Sequence, residues 1–502
     1  MVRKAFAFLI LVLAAVETHA APRLAGIFAD HMVLQRDEPL AIWGWADGGE
    51  AVTVSFAGQE ATVVAADDGF WEITLAPVAA ATSGRSLQVS TGDGKIILKD
   101  VLVGDVWHAS GQSNMAMTVA ETVTGLPAAE PLVDAANLAT IRFCRISEGE
   151  SREPLEDLRI PVKWTVCSPE AVGGFSAAAF FFARTIQREI GVPIGVIDSS
   201  RGGTPIEPFI PRAAYRGHST LERELELGDR EDLEAIWRLP GGVRARDANW
   251  LPGRLYHSRI VPIARLGVRG CVWYQGESNA GVQEDPRDYE HKMRALVQGW
   301  RKAFGDDELP FFYVQLPGSG AGAGWPYLRE QQRLAGDLPH VGMVVTVDLE
   351  GEGIHPPNKV DVGWRLAAWA LADPIGAVGP QAGPRLAGHE VRGSAMVVRF
   401  ANADAGLMVA RKHGLEPPQE IADAELGGFE LLHEDGTWHP AKAEVMGTSV
   451  KVRCASVTQP RAARYAYAVT PDGSLLYNRD GYPASPFCTD PSVLRYDPDL
   501  PE

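Results

Sequence analysis

Cysteine is scarce in this sequence: the chain of 502 residues contains five, widely spaced and without a Cys-x-x-Cys pair. This pattern argues against a disulfide framework of the kind that holds small secreted domains together. Because the number is odd, an exported chain keeps at least one free thiol. Cys144 and Cys167 lie in strand-like segments and are candidates for one disulfide, and burial as unpaired thiols is the alternative.

Positive charge is also in short supply. Lysine and arginine number 47 against 64 aspartate and glutamate residues, the formal net charge is −17, and no basic run relieves it. Nucleic acids and anionic membrane surfaces would be repelled. The charge therefore argues against both as partners, and it is compatible with an uncharged or weakly charged substrate.

Long apolar runs are missing after the N-terminus, so no membrane span is predicted in the mature chain. Arg3 and Lys4 precede an apolar stretch over residues 5–16 and a small-residue site that ends at Ala20. This order is typical of a secretory signal peptide. We expect residues 1–20 to be removed on export to the periplasm or the extracellular space, with a retained N-terminal anchor as the alternative.

Several catalytic signatures are absent as well. The Gly-x-Ser-x-Gly elbow of α/β-hydrolases would need glycine where Met115 stands. Phosphate-cradling glycine motifs are missing, and no His-x-x-x-His pair, Cys-rich cluster or clustered-carboxylate ligand set for a metal is present. The sequence therefore predicts neither a nucleotide cofactor nor a metal.

The periodicity of what remains divides the chain into regions. Residues 21–103 show short alternating segments with Asp-Gly turns, which predicts a small β-sandwich module. Residues 104–376 alternate strands with longer helices, which predicts a three-layer α/β domain around a mostly parallel sheet, with a charge-rich helical insertion at about 212–249. Residues 377–502 return to strand signals and predict a C-terminal β-rich module.

Four polar clusters follow predicted strands of the central region. They are GQSN (111–114), DSSRGGTPIE (198–207), WYQGESNA (273–280) and DLEGEGIHPPNK (348–359). The carboxyl ends of parallel strands meet at one edge of a sheet, so we expect these clusters to lie together. Acyl transfer needs a nucleophile and a base, and Ser113 and His355 are the candidates.

The base would gain from a carboxylate that orients its ring. Glu352 stands three residues before His355 on the same loop, and Asp348 is the competing acid. A Ser-His dyad without an acid is the third possibility.

The oxyanion that develops during acyl transfer needs fixed hydrogen-bond donors. The candidates are the backbone N–H of Ser113, the backbone N–H groups at Gly202–Gly203 and the side-chain amide of Asn279. The glycines at 202 and 203 permit close approach of the backbone to a ligand.

Together these blocks resemble the SGNH (GDSL-type) hydrolase superfamily, and within it the sialate O-acetylesterase-like carbohydrate esterases. The resemblance runs from about Leu24 to Asp490 and includes GDVWHASGQSNM, VPIGVIDSSRGGTPIE, GCVWYQGESNA and IHPPNK. It implies that Ser113 is the nucleophile and His355 the base. It further implies that Gly203 or Gly202 and Asn279 are oxyanion donors, and that three further side chains line or brace the site: Gln112, Gln275 and Glu277.

The departures from the family pattern concern the rim of the site. Arg201 stands where tryptophan is usual, and the residue three before His355 is not the aspartate of many relatives. Arg201 would suit the carboxylate of a sialic acid through a bidentate contact, and a structural ion pair is the alternative.

The sequence thus predicts an exported serine esterase that removes O-acetyl groups from sugars, with sialic acid as the first choice of substrate. An esterase for acetyl-xylan or another polysaccharide is the alternative within the same chemistry. The alternative without esterase activity is a non-catalytic glycan-binding protein.

Overall fold

A computed structural model describes most of the chain after residue 20. The described residues are 21–92, 94–243, 250–280, 284–318, 322–349, 351, 353–376, 379, 381–421, 424–471 and 473–496. The predicted signal peptide and Glu352 lie outside them. None of the helices in these ranges combines the length and apolar character that crossing a membrane requires.

The N-terminal region consists of short strands, as its alternating pattern predicts. They are β1 (Arg23–Leu24), β2 (Val33–Gln35), β3 (Leu40–Trp45), β4 (Ala51–Phe56), β5 (Gln59–Val64), β6 (Phe70–Leu75) and β7 (Ala81–Ser90). Strands β1, β3 and β6 form a three-stranded antiparallel sheet. Inward-facing side chains such as Val52, Val54 and Phe56 of β4 alternate with more accessible ones. They belong to one buried apolar cluster that continues into the central region through residues such as Cys271 and Trp273.

A second, larger sheet crosses the middle of the molecule. Its strands are β8 (Lys95–Gly111), β9 (Leu138–Arg145), β10 (Thr165–Cys167), β11 (Ile194–Asp198), β12 (Gly270–Tyr274), β13 (Phe311–Val314) and β14 (Val341–Val344). The order is β10-β9-β11-β8-β12-β13-β14, and β2, β4, β5 and β7 extend the sheet through β8. Pairs from β9 to β14 along this path are parallel, whereas β9–β10, β7–β8, β4–β5 and β4–β7 are antiparallel. The sheet as a whole is therefore mixed.

Strand β8 explains how the two regions join. Its first half alternates exposed and partly buried residues, and its second half, from Val101 onward, is buried throughout. The first half pairs with β7 at the edge, and the second half lies between β11 and β12 in the centre of the sheet. One strand thus runs through the predicted boundary at 103/104, and the division of the chain into modules stays a prediction.

Ten helices are described in this region. They are α1 (Ser113–Ala116), α2 (Val119–Gly125), α3 (Glu130–Asp134), α4 (Pro169–Val172), α5 (Ala177–Ile190), α6 (Ser219–Asp229), α7 (Leu233–Trp237), α8 (Tyr289–Phe304), α9 (Gly324–Ala335) and α10 (Lys359–Ala372). Helix α5 begins where Ser176 caps it and ends at Gly191 in the left-handed conformation. Helices α5 and α10 pack their apolar faces on the sheet, and α6 and α7 lie in the predicted insertion.

The C-terminal region returns to strands, as its turn signals predict. They are β15 (Arg385–Arg392), β16 (Ala395–Ala401), β17 (Leu407–Arg411), β18 (Gln419–Glu420), β19 (Phe429–Leu432), β20 (Trp438–Pro440), β21 (Lys442–Met446), β22 (Ser449–Arg453), β23 (Ala463–Tyr465), β24 (Leu475–Asn478) and β25 (Phe487–Cys488). They form three antiparallel sheets around one apolar core.

The suggested disulfide between Cys144 and Cys167 does not form, and both thiols are buried and unbonded. Cys167 on β10 lies opposite Leu138 at the start of β9, whereas Cys144 is near the end of β9. Thr165 lies opposite Phe143, so Cys144 and Cys167 lie on opposite sides of this pair, three residue steps or ~10 Å apart along the strands, while bridged Cα atoms stand less than ~7 Å apart. The alternative interpretation, buried free thiols, describes both residues.

Candidate active site

Three adjacent strands deliver three of the predicted clusters to one edge of the large sheet. Gly111, at the end of β8, pairs with Tyr274 at the end of β12, and Asp198 at the end of β11 pairs with Ala109 of β8. The fourth cluster follows β14 and leads into α10. Since the strands are parallel here, their carboxyl ends share one edge, as the sequence analysis expected.

The turn after β8 presents Ser113 as the first residue of α1. Gly111 has a φ of 132°, and a Cβ atom at this position would stand 2.1 Å from the carbonyl oxygen of Tyr274. Only glycine fits so close to the neighbouring strand. Ser113 Oγ lies 2.7 Å from Nε2 of His355, so the structure brings the predicted nucleophile and base into hydrogen-bond contact.

The loop that carries His355 is held on both sides of the histidine. The side-chain amide of Asn114 donates to the carbonyl of Ile354 at 2.8 Å, and the ammonium of Lys359 donates to the carbonyl of Pro356 at 2.6 Å. Lys359 also donates to Oδ1 of Asn114 at 2.6 Å. Asn114, which follows Ser113, thereby fixes the backbone that flanks His355. Sequence reasoning assigned no role to Asn114 or Lys359.

Glu277 completes this network, which we call the base-side network: Asn114, Glu277 and Lys359. The amide of Asn114 donates to Oε1 of Glu277, and Oε2 of Glu277 is buried without a hydrogen-bond partner in the described part of the chain. Burial raises the pKa of Glu277 and lowers the pKa of Lys359 to about 7. The two charges are thus poorly solvated and are joined through a neutral amide.

The electrostatics around His355 favour its neutral form. Partial desolvation of the ring lowers the pKa of His355, the nearby charge of Lys359 lowers it further, and Glu121 opposes the shift. A neutral imidazole can accept a proton from Ser113, which is what a general base requires.

The backbone N–H groups predicted to bind an oxyanion lie at Ser113 and in the neighbouring turn at 202–203. Within the described part of the chain, the amide N–H groups of Ser113 and Gly203 have no hydrogen-bond acceptor. Gly203 has a φ of 67°, a conformation that favours glycine. A Cβ atom on Gly202 would stand 3.8 Å from Cβ of Ser113. The turn at 202–203 therefore lies directly beside Ser113.

Two buried charged side chains hold the segment that leads into this turn. The guanidinium of Arg259 donates to the carbonyls of Ser199 and Ser200 at 2.8 and 2.9 Å. The carboxylate of Asp198 accepts from the backbone N–H of Ser200 at 2.9 Å. Rigid support of this kind keeps the backbone donors oriented before substrate arrives. Arg259 is another contributor that sequence reasoning missed.

Asn279 is buried and already bonded on several sides. Its Nδ2 donates to the carboxylate of Glu207 at 2.9 Å, and its Oδ1 accepts from Gln275 at 2.7 Å and from the backbone N–H of Ile206 at 3.1 Å. Nδ2 also lies 3.2 Å from the other carboxylate oxygen of Glu207, so the structure directs this amide at Glu207, and its role as an oxyanion donor stays a prediction.

Glu207 forms the centre of what we call the oxyanion-side network: Glu207, Glu224 and Lys292. Lys292 makes a direct ion pair with Glu207 and a second one with Glu224 at 3.2 Å. All three side chains are buried. The charge of Glu207 raises the pKa of Lys292 against the effect of burial. Asn279 is thus held by a carboxylate that is itself held by a charged lysine.

Gln112 and Gln275 brace the site from within. Oε1 of Gln112 accepts from the side chain of Gln275 at 3.0 Å and from the backbone N–H of Ser278 at 3.1 Å. The hydroxyl of Tyr289 donates to Oε1 of Gln275 at 2.7 Å. Because both glutamines are buried and bonded to protein, they tie the β8 and β12 turns together.

Arg201 lies between β11 and the glycine turn, and its backbone N–H donates to the carbonyl of Gly111 at 2.9 Å. Its side chain is partly exposed and makes no hydrogen bond or ion pair with any residue that the structure describes. The alternative of a structural ion pair thus finds no support within those residues.

Of the two candidate acids, Asp348 and Glu352, the structure describes only Asp348. Asp348 is buried and accepts two hydrogen bonds from the guanidinium of Arg365, both at 2.7 Å, and one from the hydroxyl of Tyr477 at 3.1 Å. It makes no hydrogen bond with His355. Glu352 lies outside the described residues.

A cavity of about 520 Å³ opens beside His355, within the range of small-molecule sites. Its lining comprises Met117, Gly125, Leu126, Leu349, Gly351, His355, Pro357, Asn358, Lys412 and Gly414. Lys412 and Gly414 follow β17, so the C-terminal region forms part of the wall. A neighbouring cavity of about 340 Å³ shares Leu349, Gly351 and Lys412 with it.

Comparison with known proteins finds similarity to carbohydrate esterases. A family model described as carbohydrate esterase, sialic acid-specific acetylesterase, matches residues 240–371. Human sialate O-acetylesterase is 31% identical over 391 residues, which cover 70% of this chain and 70% of the human protein. The rat protein of the same name is 29% identical over 407 residues, with 70% and 73% covered.

Among solved structures, a carbohydrate acetylesterase from Xanthomonas citri is similar to this chain over almost its whole length. The TM-score is 0.81 and the sequence identity 34%, with 94% of this chain and 100% of the other covered. The similarity thus extends beyond the central sheet to the N-terminal and C-terminal strands.

Proposed function

This chain belongs to the sialate O-acetylesterase family of carbohydrate esterases and is an ester hydrolase, and from that premise we propose that it removes O-acetyl groups from sialic acids by a serine mechanism. The observation that carries the proposal is the 2.7 Å contact between Ser113 Oγ and His355 Nε2, beside backbone N–H groups that have no acceptor among the described residues.

In the proposed first half of the reaction, Nε2 of His355 accepts the Ser113 proton as Oγ attacks the acetyl carbonyl carbon. The carbonyl oxygen becomes an oxyanion, which the N–H groups of Ser113, Gly203 or Gly202 and the Asn279 amide stabilise. The bond between the acetyl carbon and the sugar oxygen then breaks. The proton on His355 passes to that oxygen, so the sugar leaves as an alcohol and the acetyl group stays on Ser113.

In the second half, His355 takes a proton from water as the water oxygen attacks the acetyl-serine carbonyl. The same donors would hold the second oxyanion. Its collapse breaks the ester to Ser113, returns the proton from His355 to Oγ and releases acetate. Each cycle thus consumes one water molecule and leaves the enzyme unchanged.

Asn114 and Lys359 act as positioning residues in this scheme. Their hydrogen bonds to the carbonyls of Ile354 and Pro356 would keep the imidazole at its distance from Ser113. Small displacements of a base from its hydrogen-bond geometry reduce rates strongly.

We propose Glu352 as the third member of a triad, because the carboxylate of Asp348 accepts hydrogen bonds from Arg365 and Tyr477 instead of His355. Glu352→Gln is expected to lower kcat and leave the melting temperature nearly unchanged. Asp348→Asn is expected to lower the melting temperature and leave kcat less affected. The reverse pattern would make Asp348 the acid, and an unchanged kcat in both variants would indicate a Ser-His dyad.

Sialic acids carry a carboxylate that neutral plant sugars lack, and Arg201 is the residue that would recognise it. Arg201 lies in the segment whose backbone bonds to Gly111, and its guanidinium has no partner among the described residues. Such a group suits a carboxylate, and a charged hydrogen bond contributes about 1.5–3 kcal/mol. The main rival substrate is acetylated xylan, which shares the chemistry and lacks the charge.

The discriminating experiment compares acetate release from O-acetylated sialic acid and from acetylated xylan in wild type, Arg201→Ala and Arg201→Lys. We expect Arg201→Ala to raise KM for the sialic acid by ~10- to 100-fold, because one charged contact is lost. Arg201→Lys keeps the charge without the planar fork and should fall between. Equal effects on both substrates, or faster wild-type turnover of xylan, would exclude sialic acid as the preferred substrate.

We also propose that residues 1–20 direct export and are removed. The supporting evidence is the order of charged, apolar and small residues in that segment. N-terminal sequencing of the protein purified from its host should begin at Ala21. A sequence that begins at Met1 or Val2 would contradict cleavage.

A further inference from the structure

Three potential metal ligands meet where α6 and α8 begin. His218 directly precedes α6, Asp288 directly precedes α8, and His291 lies in the first turn of α8. Each offers a ligand atom, and these atoms all lie within 4.8 Å of one another. The two imidazole rings are close, with centroids 4.2 Å apart. No hydrogen bond or ion pair joins the three side chains to each other.

One ring nitrogen of this cluster is buried without a partner. Nδ1 of His218 is closed to solvent and has no hydrogen bond within the described part of the chain. Buried polar atoms in folded proteins are nearly always paired, with a bound ion or an ordered water as the usual explanation where no protein group serves. Imidazole nitrogen is also the commonest protein ligand for transition metals.

Asp288 has an unusual conformation for its position. It stands at the N-cap of α8, where an aspartate normally accepts a hydrogen bond from the first turn, yet its side chain makes no such bond. Its φ is 64°, in the left-handed region. Such residues persist where the surroundings maintain them, and they concentrate at ligand sites. The carboxylate is thereby kept from the helix and placed near the two histidines.

The local charge favours a cation. Glu207 and Glu224 share the single ammonium of Lys292, and the negative charges of Glu207 and Asp288 both act on Glu224. Burial and these neighbouring charges raise the pKa of Glu224 to about 7, and Glu207 is paired with Lys292, so Asp288 is the carboxylate that offsets the positive ends of the two helix dipoles here.

We propose that His218, Asp288 and His291 form a binding site for Zn²⁺ or a similar divalent transition metal ion. Two imidazoles and a carboxylate are a ligand set that zinc accepts, with water as the fourth ligand. Ligand atoms lie ~2.0–2.2 Å from zinc, so small rotations of the three side chains would close the present separation. The ion would tie the inserted helix α6 to α8, which carries Lys292. No spacing motif in the sequence predicts the site, because its ligands come from two distant segments.

The test uses full-length protein without a histidine tag, stripped of metal with a chelator and titrated with Zn²⁺ by calorimetry. Co²⁺ serves as a spectroscopic probe, because its visible absorption reports tetrahedral coordination. The variants are His218→Ala and His291→Ala. His439→Ala is the matched control, since His439 pairs with His433 on the surface but already contacts the hydroxyl of Thr437 at 2.9 Å.

We expect wild type and His439→Ala to bind one equivalent of Zn²⁺ with a raised melting temperature. His218→Ala and His291→Ala should bind ~100-fold more weakly or not at all and lose the Co²⁺ spectrum, because a ligand is missing. Circular dichroism of the metal-free variants shows whether they fold. Absence of saturable binding in wild type, or equal binding in folded His218→Ala and His291→Ala, would overturn the proposal. None of these results depends on Ser113 or on the choice of sugar.

Discussion

The base side and the oxyanion side of the site both rely on a buried lysine and a buried glutamate, but they connect them differently. On the oxyanion side, Lys292 contacts Glu207 directly, and Glu207 holds Asn279. On the base side, Asn114 stands between Lys359 and Glu277 and also holds the loop of His355.

This difference changes the protonation of the two lysines. Direct contact with Glu207 raises the pKa of Lys292, so it stays charged across the physiological range. Lys359 has no such contact, and burial lowers its pKa to about 7. A direct ion pair therefore keeps Lys292 charged at neutral pH, whereas Lys359, which an amide separates from Glu277, titrates near neutrality. Glu224, the second carboxylate beside Lys292, has its pKa raised to about 7 by burial.

The largest expected effect tests whether both sides serve a single nucleophile. Ser113→Ala should reduce acetate release by ~10⁴-fold or more, because removal of a catalytic serine leaves only the binding and oxyanion contributions. Ser113 lies at the surface of the turn, so we expect the melting temperature to stay close to that of wild type. Acetate release by the folded variant at a rate near wild type would show that the two networks do not converge on Ser113.

The next effect separates the networks by stability. Lys292→Met should lower the free energy of unfolding by ~3–5 kcal/mol, because Glu207 is left buried and unpaired. Lys359→Met should lower it by less than ~2 kcal/mol, since two hydrogen bonds are lost while a poorly solvated ammonium is removed.

Urea denaturation at neutral pH measures both values. Glu207→Gln combined with Lys292→Met should recover part of the loss, because the unpaired charge is gone. Equal losses in the two lysine variants would contradict the distinction between the networks.

The third effect concerns stability as a function of pH. Lys359 releases its proton at about pH 7 in the folded protein, whereas its ordinary pKa of 10.5 applies in the unfolded chain. Between these values the unfolded state binds more protons, so the contribution of Lys359 makes the free energy of unfolding rise with pH. Below pH 7 both states hold the proton, and the contribution becomes constant.

The difference between wild type and Lys359→Met isolates this contribution from other titrating groups. We expect the difference to acquire a positive slope above pH 7, measured by urea denaturation at several pH values. A flat difference up to pH 10 would mean that Lys359 keeps its proton in the folded protein.

The smallest effect links the base-side network to catalysis. The charge of Lys359 lowers the pKa of His355, so Lys359→Met should move the acidic limb of the kcat/KM profile to higher pH by a fraction of a pH unit. Lys359→Arg, which keeps a charge, should not produce this shift. A shift to lower pH in Lys359→Met would contradict the assignment.

The sequence allowed the strand-end clusters to be predicted because parallel strands have a simple consequence. Once β8, β11 and β12 alternate with helices, their carboxyl ends must share an edge, and Ser113, Gly203 and Asn279 follow them directly. The start of α10 near Asn358 was also predicted from the residues, since two prolines precede it. The structure confirms it, because the Asn358 side chain accepts a hydrogen bond from the backbone N–H of Asp361.

The supporting residues were harder to predict, because their roles depend on partners far away in the chain. Lys292 did carry a signal: it lies on the same helical stripe as the buried Leu296 and Trp300, where a charged residue requires a partner. Asn114 and Lys359 stand inside predicted clusters, yet only the folded chain shows that they hold the carbonyls on either side of His355. The mixed character of the large sheet depends on the continuation of β8 across both regions, which local periodicity does not reveal.

The central claim is that acetyl passes through Ser113, and mass spectrometry of the trapped intermediate tests it most directly. His355→Ala, which should deacylate slowly, is mixed with an activated acetyl ester, quenched in acid and digested. The account predicts one added acetyl group on the peptide that contains Ser113, and none after Ser113→Ala is introduced into the same protein. Acetylation of a different residue, or of none while acetate is still released, would contradict it.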